Sequence, residues 1–244
     1  MKNLLRSFCQ KLLGYRNYLY VFALFSIKRM QWGGGHEKEF LYFLDMIPDN
    51  RSTVLDIGAN IGVMAASIAT KHTQAEVFAF EPIPDNQRTI ERVVKHHGLK
   101  NIRLFKTALG DAAGEIKMVV PVVGSSNMQG LSHVVEAGRK NDGAFFTVPV
   151  QRLDQIPELI AAEKISAIKI DVENFEYYVL KGAQGLLEKH KPVIYCELWE
   201  NERRSLCLDY IRSMGYAVKI FQDNALADFN GQEGINFFFV PKVS

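Results

Sequence analysis

Thr53-Val54-Leu55-Asp56-Ile57-Gly58-Ala59-Asn60-Ile61-Gly62 is the stretch that decides the fold. An apolar run ends in an acid and a glycine-spaced turn, and an Ala-rich helical pattern from Val63 to Thr70 follows. Strand, tight turn and helix in that order set a nucleoside-bearing cofactor against a helix N-terminus. The spacing D-x-G-x-x-x-G differs from the G-x-G-x-x-G that accommodates a dinucleotide pyrophosphate. Asn60 stands where the dinucleotide motif needs a second glycine for close phosphate approach. That difference favours S-adenosylmethionine, which has no phosphate and carries a positive sulfonium. Taken alone, the turn also reads as an ordinary strand-to-helix connection whose glycines supply backbone freedom.

Outward from this turn, apolar runs and helical patterns alternate. Strands are predicted over Thr53–Ile57, Glu76–Phe80, Asn101–Lys106, Ala167–Asp171, Val193–Leu198, Ala217–Phe221 and Ile235–Val240. Helices are predicted over His36–Met46, Val63–Thr70, Asp85–His97, Glu176–His190 and Glu202–Met214. Near-continuous apolar strands are expected where helices cover both sheet faces. The pattern therefore predicts an α/β fold with a doubly wound, mostly parallel seven-stranded sheet. The last two strands lack a helix between them and are expected to pair antiparallel, making the sheet mixed. Two extra strands, Glu115–Val122 and Phe145–Gln151, form an insert joined by a long polar loop, Val123–Ala144. Long loops in compact domains often carry function.

Two parts are expected: a basic, apolar helical extension over residues 1–35 and one globular domain over 36–244. The 244 residues carry a net charge of +2, which argues against a dedicated nucleic-acid binder. Cys9, Cys196 and Cys207 are far apart and form no metal pattern. A sparse, odd cysteine set suits a reducing compartment and gives the expectation of a cytoplasmic protein. Lys2, Arg6, Lys11, Arg16, Lys28 and Arg29 are interleaved with Leu, Phe and Tyr, and no acid precedes Glu37. The apolar run Tyr18–Ile27 is about ten residues, short of the roughly twenty that span a bilayer. Two readings of residues 1–30 stay open: a helix packed on the domain, or a segment lying on the inner, anionic membrane face.

Further acids fall at strand ends. Glu81 closes Phe78-Ala79-Phe80-Glu81-Pro82, about twenty residues beyond the glycine turn, where an acid accepts hydrogen bonds from ribose hydroxyls. Its plainer role would be to complement the dipole of the next helix. Thr107 and Ala108, in Lys106-Thr107-Ala108-Leu109-Gly110-Asp111, are small enough to let an adenine lie against the backbone, and a plain β-turn competes equally there. Ile168-Lys169-Ile170-Asp171-Val172-Glu173-Asn174-Phe175-Glu176 follows an apolar strand with a cluster of carboxylates. Such acids repel one another unless a positive group joins them, a bound sulfonium or a metal ion for example. For Glu173 or Glu176 the competing role is to cap the following helix.

V-L-D-I-G-A-N-I-G, F-E-P, A-L-G-D and I-K-I-D-V-E-N-F-E-x-x-V-L-K-G-A, then a strand ending in Glu197, resemble in order and spacing the FkbM family of S-adenosylmethionine-dependent methyltransferases. The likeness runs from about His36 to Pro241. It implies the Rossmann-like class I methyltransferase fold and O-methylation, often of sugars, glycans or natural products. It also implies that Asp56, Gly58, Asn60 and Gly62 surround the methionine portion and that Glu81 holds the ribose. Thr107 and Ala108 would lie near adenine, and Asp171 would face the methyl group. The family usually has Gly where this chain has Asn174. Asn tolerates left-handed backbone better than other side chains, so the turn is expected to survive.

The implied reaction needs alignment of acceptor oxygen, methyl and sulfur, and a base for the hydroxyl proton. Asp171 is the first candidate base, and His133 in the insert the second, although a lone loop histidine is more often a solvated surface residue. No transition metal is predicted, because no histidine lies near the acidic cluster. The acceptor class is a small-molecule or glycan hydroxyl. An NAD-linked dehydrogenase and a catalytically inert cofactor- or partner-binding module are the alternatives.

Overall fold

All five residues of Thr53–Ile57 are buried, as a central strand covered on both faces requires. The computed structural model describes residues 2–32, 38–48, 50–123, 126–135 and 142–242. Two helices, α1 (Lys2–Leu13) and α2 (Tyr15–Gln31), precede α3 (Lys38–Met46). The alternating core follows as β1 (Thr53–Ile57), α4 (Val63–Lys71), β2 (Glu76–Phe80), α5 (Pro84–His97) and β3 (Ile102–Phe105). The insert contains β4 (Ala108–Leu109), β5 (Gly114–Val123), β6 (Ser126–Asn127), β7 (His133–Val134) and β8 (Gly143–Gln151). The second half holds α6 (Pro157–Ile160), β9 (Ile165–Ile170), α7 (Glu176–Lys181), α8 (Gln184–His190) and β10 (Val193–Glu197). It ends with α9 (Glu202–Ser213), β11 (Tyr216–Gln222), β12 (Ala225–Asp228) and β13 (Asn236–Pro241).

The main sheet has the order β12-β11-β13-β10-β9-β1-β2-β3. The seven predicted strands are all present, and β12 adds an eighth at the edge. It pairs antiparallel with β11 across Asp223 and Asn224, whose φ values are 51° and 62°. Two left-handed residues in a row match the twist of a tight hairpin. β13 runs antiparallel to both β10 and β11, so the sheet is mixed as expected. The predicted helix Glu176–His190 is two helices. Asp154 accepts from Gly185 N at 3.0 Å and Leu186 N at 2.9 Å, capping α8 from a distant part of the chain.

Strand order reverses between β1 and β9, and the turns after β1, β2 and β9 open at this switch point, where open α/β sheets bind ligands. The insert folds as a separate sheet in which β5 pairs antiparallel with β8. The N-terminal helices pack on the domain. Tyr18, Leu19, Ala23 and Ile27 of α2 share an apolar cluster with Ile61, Ala66 and Val93. Fully burying a side chain of this size contributes about 1.5–3 kcal/mol, so α2 is firmly seated. The expected boundary near residue 35 lies outside the described residues.

Candidate active site

Gly58 takes φ 74°, and a Cβ there would stand 1.8 Å from the Asp171 carbonyl oxygen. The turn after β1 thus rests directly on the chain leaving β9, where Asp171 N donates to Ile57 O at 3.1 Å. Asn60 is left-handed at φ 51°, and its N–H donates to Glu81 Oε2 at 2.7 Å. Glu81 Oε1 accepts from Ile83 N at 2.8 Å and Asn86 Nδ2 at 3.2 Å. A carboxylate has lone pairs beyond these. Glu81 therefore ties the glycine turn to β2 while keeping acceptor capacity toward the cleft it lines. Burial, opposed by those donors, pushes the Glu81 pKa up to about 7.

Gly58, Asn60, Glu81, Thr107, Ala108 and Asp171 all line one cleft with about 640 Å³ of empty space, part of it open to solvent. Thr107 Oγ1 donates to Pro149 O at 3.0 Å, which fastens the start of β4 to β8. Apolar walls come from Phe80, Leu109, Met118 and Phe175. Two residues assigned to the cofactor by resemblance are not in this wall. Asp56 is fully buried behind the turn, because both faces of β1 are covered. Gly62, at φ 83°, caps the start of α4 and packs close to Ile90.

Sequence reasoning assigned no role to Lys169, the lone cation inside the buried strand β9. Its Nζ lies 3.3 Å from Asp56 Oδ1 and 3.6 Å from Asp171 Oδ2, and it donates to Gly58 O at 2.8 Å. One ammonium thus joins the hidden acid, the glycine turn and the acid at the cleft. Burial lowers the Lys169 pKa, and Asp56 and Asp171 more than reverse that. Burial raises the pKa of Asp56, with Lys169 opposing. The available signal was a charged residue in an otherwise apolar I-K-I run.

The turn after β9 is acidic and left-handed. Glu173 has φ 52° and Asn174 φ 71°, so the turn forms without the family glycine. Glu176 closes it: its Oε1 accepts from Val172 N at 3.1 Å and Asn174 N at 3.2 Å. Burial, then Asp171 and neighbouring acids, pushes Glu173 up to about 8. Burial also leads the rise of Glu176 and Glu197, each to about 7. Three residues of the cleft wall, Asn60, Asn86 and Gln129, each bury a side-chain oxygen that has no hydrogen-bond partner. Buried polar atoms are normally paired. The Glu81, Asp171 and Glu173 side chains in the cleft wall therefore fit a ligand with donors and positive charge. An ammonium, a sulfonium and ribose hydroxyls meet that description, and a dinucleotide pyrophosphate does not.

His133 is not brought to this cleft. It sits on β7, its Nδ1 is 2.9 Å from Leu131 O, and it faces a neighbouring groove with Asn174 and Arg203. Pairing of β7 with β5 turns it away from Asp171. Among the described residues, no group of three or more His, Cys, Asp or Glu side chains is arranged to hold a metal ion.

A family model described as Methyltransferase FkbM domain matches residues 56–218. The chain is 26% identical over 240 residues to AMB antimetabolite synthetase AmbE of Pseudomonas aeruginosa, covering 78% of this chain and 11% of that protein. It is 28% identical to Methyltransferase sdnD of Sordaria araneosa, covering 65% of this chain and 70% of that one. Hexuronic acid methyltransferase AglP of Haloferax volcanii is also 28% identical, over 57% of this chain and 53% of its own. The chain thus spans a small part of the first relative and about half of the last. Among solved structures, Methyltransferase FkbM from Methylobacillus flagellatus aligns with 78% of this chain and 44% of its own, at 19% identity and TM-score 0.53, sharing the fold.

Proposed function

This chain belongs to the FkbM family of methyltransferases, and from that premise we propose that it methylates a hydroxyl oxygen of a sugar, glycan or small natural product. Its cofactor is S-adenosylmethionine, which when bound supplies an electrophilic methyl group on a sulfonium. The observation that carries the reading is the acidic, acceptor-rich cleft that ends at Asp171. Glu81 holds the ribose hydroxyls, and Thr107 and Ala108 wall the adenine. Gly58 and Asn60 shape the backbone around the methionine portion, while Asp56 and Gly62 act from behind. Asp171 holds a carboxylate where the acceptor hydroxyl can lose its proton as the oxygen–methyl bond forms and the sulfur–methyl bond breaks. His133 has no part in this assignment. The resemblance to a protein named as a hexuronic acid methyltransferase supports a sugar acceptor.

The test uses labelled S-adenosylmethionine with a panel of neutral sugars, hexuronic acids and their alkyl glycosides. We expect label in an O-methyl ether. Label in an N- or S-methyl product, or none in the presence of tight S-adenosylhomocysteine binding, would refute the assignment. Asp171→Ala should lose most turnover and keep S-adenosylhomocysteine affinity within a few-fold. Glu81→Ala should lose that affinity first.

A second element of the proposal is peripheral contact with an anionic membrane face. Phe8, Leu12, Val21, Phe25 and Trp32 are exposed on α1, α2 and the residue that follows them. Lys11 and Lys28 are exposed beside them, and neither helix contains an acid. Apolar and basic side chains together suit an anionic lipid surface. No described helix is long and apolar enough to cross a membrane. The full chain should pellet with phosphatidylglycerol vesicles and not with phosphatidylcholine alone, and Phe25→Ser should reduce pelleting. Equal pelleting with both lipids would remove this element.

A further inference from the structure

The N-terminal helices and the insert, more than a hundred residues apart in sequence, meet over the glycine turn. Gln10 of α1 is buried, and its amide makes a reciprocal pair with Asn127. Gln10 Nε2 donates to Asn127 O, and Asn127 N donates to Gln10 Oε1, each at 3.1 Å. One turn earlier on α1, the Arg6 guanidinium meets the Met128 thioether. Beneath this bridge lies a second chamber with about 990 Å³ of empty space, part of it open to solvent. It shares Gly58, Asn60, Gln129, Gly130 and Asp171 with the cofactor cleft. The two spaces therefore adjoin at the candidate base.

The chamber differs chemically from the cleft. Phe22, Met30, Met64 and Leu131 make it largely apolar, and methionine-rich walls adapt to irregular shapes. Its charged lining residues are Arg6, Lys169 and Asp171. Lys169 already pairs with Asp56 and Asp171. Arg6 meets a thioether and, among the described residues, no carboxylate. Its charge is therefore available to a ligand, and an arginine fork suits a carboxylate or phosphate.

Resting on the methyltransferase reading above, we propose that this chamber is the acceptor site and that it takes an amphipathic anion. The acceptor carries its hydroxyl to Asp171, lays an apolar body against Phe22, Met30 and Met64, and meets Arg6 with an acidic group. α1 and α2 are then part of the substrate site, and acceptor choice is written in the N-terminal helices and the insert together.

The probe is octyl β-glucuronide, which joins a carboxylate, hydroxyls and an alkyl tail, with octyl β-glucoside as its neutral partner. Both are titrated below their micelle concentrations into the full chain saturated with S-adenosylhomocysteine. We expect the glucuronide to bind about tenfold more tightly, as one charge-assisted pair allows. Arg6→Gln should erase that preference and Arg6→Lys should keep part of it, both with unchanged S-adenosylhomocysteine affinity. Ser26→Trp, which fills the chamber from α2, should abolish binding of both glycosides while leaving the melting temperature and cofactor affinity intact. Equal binding of the two glycosides, or glucuronide binding untouched by Arg6→Gln, overturns the anionic assignment. Lost S-adenosylhomocysteine affinity in a well-folded Ser26→Trp would show that the chamber belongs to the cofactor. Failure of the wild-type chain to bind S-adenosylhomocysteine at all would sink the methyltransferase reading itself. Cofactor binding without glucuronide binding would sink only this inference.

Discussion

Two turns face each other across the switch point, and they reach the same left-handed backbone by different means. The turn after β1 relies on what is missing from its side chains: at Gly58 no Cβ fits, because the Asp171 carbonyl lies 1.8 Å from where it would be. The turn after β9 has left-handed residues with side chains, Glu173 and Asn174, and is held by the Glu176 carboxylate and by Arg203 Nη1 donating to Asn174 O at 2.8 Å. At Gly58 backbone geometry alone decides the first, with the Glu81 carboxylate holding the left-handed Asn60 beside it, and a network of acids and their donors decides the second. Lys169 belongs to both, since it bonds the Gly58 carbonyl and pairs with Asp171. The difference teaches that a turn made by excluding a Cβ is written in residue type, as glycine, whereas a side-chain-made one is written in the partners that hold it.

The largest effect should come from removing that shared cation. Lys169→Met leaves Asp56 buried with its charge uncompensated, which costs about 3–5 kcal/mol when one partner of a buried pair is lost. Asp56→Asn combined with Lys169→Met should be more stable than Lys169→Met alone, because no isolated charge remains. Urea melts of the unaltered chain and of the single and double variants measure this. A double variant no better than the single would mean that Lys169 acts mainly through the Gly58 carbonyl and Asp171.

The same difference explains what the sequence made legible. β1 and β2 match their predicted bounds, because buried parallel strands are near-continuous apolar runs. The acids and glycines of the cleft wall were visible as spacing. Lys169 was not, since its meaning depends on β1 lying next to β9. The break between α7 and α8 was hidden for a similar reason: it is capped by Asp154, far from it in sequence. β12 was missed although Asp223-Asn224 is a tight-turn pair, because its strand is only four residues, Ala225–Asp228, inside the polar, glycine-containing stretch from Gln222 to Gly234. The bridge from α1 to Asn127 had no local sign at all.

Single substitutions in the two turns sharpen the comparison next. Gly58→Ala forces a left-handed alanine into the Asp171 carbonyl, and strain plus overlap should cost on the order of 3 kcal/mol. S-adenosylhomocysteine affinity should fall with it. Asn174→Gly relieves a left-handed side chain but removes the hydrogen bond that its Oδ1 accepts from Asn201 and loosens the unfolded chain. The net change should stay within about 1 kcal/mol. If the two substitutions cost the same, the turn after β1 has slack that its geometry denies.

A pH dependence belongs to the acidic turn and its neighbours. Glu81, Glu176 and Glu197 are raised from 4.5 to about 7, and Glu173 to about 8, burial leading in each. Between 4.5 and these values the folded chain holds protons that the unfolded chain has released. Their stabilisation is complete below pH 4.5 and is lost as pH rises through 7 to 8. The ligand-free melting temperature should therefore fall across this window. A bound sulfonium favours the ionised carboxylates, so S-adenosylmethionine should release protons on binding, whereas S-adenosylhomocysteine, which lacks that charge, should release fewer. Calorimetry in two buffers of different ionisation enthalpy reads this directly. The melting-temperature gain from S-adenosylmethionine over S-adenosylhomocysteine should also widen as pH rises. Identical pH profiles for the two ligands would mean that the acids after β9 hold their own backbone turn and do not sense the sulfonium. Glu176 already does so, and Asp171 and Glu173 would then join it.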